Sequence, residues 1–290
     1  SRNADRDNWG LAYQPARATK ANPMNTTRRN DIQGLRAIAV LLVVFYHSNL
    51  IFDGGFIGVD VFFVISGYVI MKSLLAEYNS TSTISVRNFM ARRVRRLLPA
   101  SSAVVVFTLI ASLFIFSPFF EHRQIGLSSL SSTFFSANLY FILQNSYSAL
   151  INNPFRHMWS LGVEEQFYVI WPILLIALYK VKIGRITPRA KIFIASSLLA
   201  LASTAWMIHL SITNGFPIPN DPSRVYFGTD THAMGLLVGC AAAALWRSDR
   251  LNERLTPDRA AAMNGLGLLS LAGLAYFFVF VSELNEFLYR

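Results

Sequence analysis

A few ionisable side chains stand inside apolar sequence, and they are the groups here that can do chemistry. Arg36 and His47 lie in LRAIAVLLVVFYHSNLIF, and Asp60 lies in GGFIGVDVFFVISG. Glu164 and Glu165 stand near the start of the apolar part of HMWSLGVEEQFYVIWP, and Asp230 and His232 enter the run YFGTDTHAMGLLVG. An ionisable group facing lipid costs about 2.5 kcal/mol or more, so such groups normally face a cavity or a pathway. Histidine suits general-base work on a hydroxyl, because its ordinary pKa is about 6.5. Asp60, Glu164 and Glu165 are the carboxylates that could orient it, and spacing leaves the choice among them open. Arg36 and His47 are eleven residues apart. At about 100° per residue that is within about 20° of three full turns. Both side chains therefore leave one helix in the same direction, about 16 Å apart along its axis. A snorkelling arginine at a helix end and a histidine satisfied inside a bundle would give the same spacing.

The densest charge is RNFMARRVRRLLP, with Arg87, Arg92, Arg93, Arg95 and Arg96. Its basic side chains can hold a loop on the cytoplasmic side. They can equally bind phosphate, which guanidinium pairs with through two parallel hydrogen bonds. Arg93 and Arg96, like Arg92 and Arg95, are three residues apart and share a helical face. His47, His157 and His232 are isolated, there is no HExxH, and no metal site is expected. No glycine-rich phosphate loop is present, and no GxSxG elbow that would seat a Ser-His-Asp triad.

The elements that position these groups are membrane helices. The 290 residues are 53% hydrophobic and only 14% charged, where a soluble domain carries about 25% charge. Mean hydropathy is +0.39. Apolar runs at 35–52, 56–75, 97–117, 159–179, 192–212, 232–246 and 263–281 read as spans of an all-α, polytopic transmembrane helix bundle. The net charge of +10 gathers in short loops between the runs. That is the positive-inside pattern, and it argues against nucleic-acid binding. The basic stretch 180–191 must then be cytoplasmic, so the Ser-rich run 125–143 reads as re-entrant or interfacial. Residues 1–29 read as a disordered, polar, cytoplasmic tail, and 30–290 as one membrane domain. The single Cys240 allows no intrachain disulfide.

Four of these stretches, in this order, resemble acyltransferase family 3: Arg36 and His47 with their spacer, GGFIGVDVFFVISGYVI, FMARRVRRLLPA and HMWSLGVEEQFYVIWP. The family comprises O-acyltransferases of the bacterial inner membrane that decorate surface glycans. The resemblance implies acyl-CoA, usually acetyl-CoA, as a donor substrate taken from the cytoplasm, with no permanently bound cofactor. It implies acceptor hydroxyls on O-antigen, exopolysaccharide or peptidoglycan precursors. It points to His47 as the catalytic base or acyl relay, with Arg36 as the other essential position of that motif. It points to Arg93 and Arg96, with Arg92 beside them, as the donor-binding arginines. Many members carry Arg at the position of His232 and Glu at that of Gly235. Members usually have about ten spans, so the chain reads as partial, with the last spans missing. A transporter using the same charges as a relay, or a non-catalytic component of glycan export, is the rival reading; the inverted repeats expected of a transporter are not visible.

Overall fold

The computed structural model describes residues 30–48, 54–116, 121–147, 153–181, 184–216, 220–246 and 256–281. The tail 1–29 and Asp53 of the predicted turn lie outside them. Among the described residues all regular structure is helical, which lets a chain in lipid satisfy its backbone within each segment. The helices are α1 (Asn30–His47), α2 (Gly58–Thr81), α3 (Val86–Ile115), α4 (Glu121–Thr133) and α5 (Ala137–Leu143). They continue as α6 (Trp159–Lys180), α7 (Pro188–Asn214), the single turn α8 (Ser223–Tyr226), α9 (Thr229–Leu245) and α10 (Pro257–Phe280). Short 3-10 turns at Gly55–Ile57 and Arg156–Met158 lead into α2 and α6.

Every apolar run read from the sequence carries a helix. Five of these helices, α2, α3, α6, α7 and α10, are long and apolar enough to cross a membrane, counting the 3-10 turns with α2 and α6. α1 opens with the polar NDIQG, and α9 has only 17 residues. The Ser-rich run breaks between α4 and α5, where Phe135 takes φ 52°. Its pieces of 13 and 7 residues are each too short to span.

The arginine-rich stretch is helix rather than loop. α2 runs on to Thr81, and α3 starts at Val86. Ser85 caps α3, its hydroxyl accepting from the Asn88 N–H at 3.3 Å. The Ser85 N–H donates in turn to Glu77 Oε1 at 2.8 Å. All the arginines of this stretch therefore project from the first three turns of α3.

α2, α6 and α9 form the centre, and α7 packs along α9. Two glycines let α2 and α9 touch backbone to backbone. A Cβ on Gly67 would lie 2.0 Å from the Leu236 carbonyl oxygen, and one on Gly239 would lie 2.0 Å from that of Val64. A polar clamp ties α5, α6 and α9 together. Asn138 Nδ2 donates to Thr229 Oγ1 at 3.0 Å, and Gln166 Nε2 donates to Asn138 Oδ1 at 2.9 Å. Thr229 Oγ1 completes the ring by donating to Gln166 Oε1. The outer surface is apolar, with Phe107, Phe114, Leu201, Ile212, Leu269 and Phe280 exposed. Lipid tails solvate such a surface.

Candidate active site

Four helices bring guanidinium and carboxylate groups to one place. α1 supplies Arg36, α2 supplies Phe62 and Ser66, α3 supplies Arg93 and Arg96, and α6 supplies Glu164, Glu165 and Tyr168. On α6, Glu164 and Tyr168 are four residues apart and share a face. Both are buried, at 2% and 1% exposure. Pro172, four residues after Tyr168, cannot donate to that residue's carbonyl, so the helix is locally weakened beside the cluster.

Arg93 is held on two sides. Its Nε and Nη2 donate to Glu165 Oε1 at 3.2 and 3.0 Å. Its Cζ stands 3.6 Å from the centre of the Tyr168 ring. Arg36, half-buried, stands over Phe62 with Cζ 5.0 Å from the ring centre. Its charge interacts with Glu164, Arg96, Tyr168 and Arg93. Glu164 lies among Ser66, Arg93, Arg36 and Tyr168, yet its Oε1 has no hydrogen-bond partner among the described residues. Three guanidiniums against two carboxyls leave a site that favours a further anion. Arginine supplies five N–H donors in a fixed fork and matches phosphate geometry.

Other predicted residues stand apart from this cluster. Arg92 is paired with Glu77 at 2.8 Å, across the junction between the end of α2 and the start of α3, and is itself exposed. Arg95 bends back, its Nε donating to the Ala91 carbonyl at 3.2 Å. His47 is the last residue of α1 and is exposed, about three turns along the helix from Arg36. Its Nδ1–H donates to the Val43 carbonyl at 2.8 Å. In the neutral ring that leaves Nε2 with the lone pair. His157, at the entrance to α6, lies close enough for the two imidazoles to interact electrostatically. Asp60 stands in the first turn of α2, where the helix dipole favours a carboxylate. His232 is walled by aromatic rings, with centroids 5.2 Å from Trp159, 5.8 Å from Tyr226 and 6.3 Å from Phe63. No group of His, Cys, Asp and Glu able to hold a metal occurs among the described residues.

The acyltransferase domain family matches residues 29–289. The chain belongs to that family. It is 41% identical over 265 residues to the peptidoglycan O-acetyltransferase OatA of Listeria monocytogenes, covering 90% of this chain and 41% of that protein. It is 34% identical over 265 residues to the O-acetyltransferase OatA of Staphylococcus aureus, covering 89% of this chain and 42% of that protein. The chain thus spans about two fifths of the length of these relatives. No solved structure matches it.

Within this family member the cluster holds residues that sequence reading did not single out: Phe62, Ser66 and Tyr168. Tyr168 carried a usable signal, since it follows Glu164 by four residues. Phe62 and Ser66 carried none, because aromatic and small residues are common on any apolar helix.

Proposed function

We propose that this bundle transfers an acyl group, acetyl in the simplest case, from acyl-CoA to a hydroxyl of a cell-surface glycan. The name of the Listeria relative favours peptidoglycan as the acceptor. The observation that carries the reading is the convergence of Arg36 and Arg93 on the buried Glu164, Glu165 and Tyr168, with the exposed Arg96 adding its charge beside Arg36. One of its members, Arg36, lies on the same helix, α1, that ends in His47. The protein would sit in the bacterial cytoplasmic membrane with its N-terminus inside. The start of α3 would then face the cytoplasm, and His47 the outer side.

In this account the arginines hold the phosphates of CoA, and the flexible pantetheine arm carries the thioester toward the far end of α1. His47 Nε2 takes the proton of the acceptor hydroxyl. The oxygen attacks the thioester carbonyl, the new C–O bond forms, and the C–S bond breaks. The CoA thiolate leaves and recovers the proton from the imidazolium. The Val43 carbonyl, which accepts from Nδ1–H, keeps the ring in the tautomer this requires. Glu164 and Glu165 are the acidic groups available to hold the arginines and to balance charge as it develops.

The test is mass analysis of surface glycans from cells with and without the gene. O-acetyl groups on the glycan should disappear with the gene and return with a plasmid copy. Identical acetylation in both strains would remove the proposal.

A further inference from the structure

The two edges and the face of the Arg93 guanidinium are not equivalent. One edge is committed, because Nε and Nη2 both donate to Glu165 Oε1. One face is covered by the Tyr168 ring at 3.6 Å. Nη1 makes no hydrogen bond among the described residues, and 17% of the side chain remains exposed. The Tyr168 ring is fixed in its turn. It is buried, and its side chain lies against Glu164. A guanidinium pinned by one edge and one face has its plane set, with Nη1 left over for a ligand.

From this geometry we infer that Tyr168 is a positioning residue of the donor site. Its ring fixes the plane of the Arg93 guanidinium, so that the free Nη1 edge meets a phosphate oxygen of the CoA donor. The inference rests on the donor reading given above. It assigns to Tyr168 an electrostatic role beyond filling the core, because a cation is drawn to the negative face of an aromatic ring. The chemistry at Arg93 also requires a planar group, which an ammonium in the same place would not supply.

The experiment uses the purified full chain in detergent, with CoA as the probe in calorimetry and acetyl-CoA in kinetics. Tyr168→Phe, which keeps the ring, is the reference. Difluoro- and trifluorophenylalanine are then placed at position 168. Fluorine withdraws charge from the ring face while changing its volume little, so a merely structural role would not respond. Affinity for CoA should fall stepwise along the series, by about fivefold in total. The donor KM should rise in parallel while kcat at saturating donor holds. In an Arg93→Ala background the series should be flat. Should Arg93→Ala weaken CoA binding while the fluorinated series shows no trend, the role of Tyr168 is overturned and the donor site stands. If Arg93→Ala leaves CoA binding unchanged, the donor reading fails and takes this inference with it.

Discussion

Arg92 and Arg93 are neighbours in sequence with opposite environments, and the difference decides which of them can serve a ligand. Arg92 is exposed and is paired with Glu77 near the end of α2. Arg93 points into the bundle, onto Tyr168 and Glu165. Arg93→Ala should therefore weaken CoA affinity by about tenfold, the scale of one charge-assisted hydrogen-bonded contact. Arg92→Ala should change it by less than about twofold, the scale of an exposed ion pair. Equal losses in calorimetry would return the arginines to a topological role. The sequence made Arg36, Arg93, Arg96, Glu164 and Glu165 visible because charge inside an apolar run has a cost that needs a reason. A spacing of four from Glu164 was the one signal Tyr168 carried, because a tyrosine in an apolar helix otherwise reads as core. The sequence also could not say that Arg92 is tied to Glu77, since that pairing depends on where α2 ends.

The site is only as well placed as the helices that carry it. α2 brings Phe62 and Ser66, and its position is set by the close approach to α9 at Gly67 and Gly239. Gly67→Ala would drive a methyl group into the Leu236 carbonyl, and Gly239→Ala would do the same at Val64. Each should destabilise the protein by about 1–3 kcal/mol through forced separation of the pair. The check is the thermal midpoint in detergent. A variant that melts with the parent would show that the helices are not held this closely. Helix existence was legible throughout, because each apolar run is far longer than a soluble core strand. Helix ends were not. α2 overruns its apolar run by six residues, to Thr81, and α3 begins among arginines, because Ser85 and Glu77 cap the junction. The break at Phe135 was readable only as a charge-topology conflict, since polar serines can line either a bent segment or a span.

For the molecule as a whole, the direction of each helix follows from one assumption, that the basic start of α3 lies inside. The turn between α2 and α3 must then be cytoplasmic, and the end of α7 must be outside. Thr83→Cys should react with a membrane-impermeant maleimide only in inside-out vesicles, and Asn214→Cys only in right-side-out cells. The native Cys240 is buried and will not compete. Labelling of both positions from one side would break the proposed orientation. The family was legible from four motifs in order, and so was the distance of His47 from Arg36, whereas the exposure of His47 was not. It closes α1 at an exposed position, about 16 Å along the helix from Arg36. Catalysis at that distance requires a donor whose reactive end is carried on a long arm. The most direct measurement is transfer of radiolabelled acetyl from acetyl-CoA to glycan in membrane vesicles, comparing the parent with His47→Ala at matched abundance. The parent should label the glycan, while His47→Ala should bind CoA normally and transfer at least about 100-fold more slowly, the scale of a lost general base. Transfer at the parent rate by His47→Ala would contradict the account.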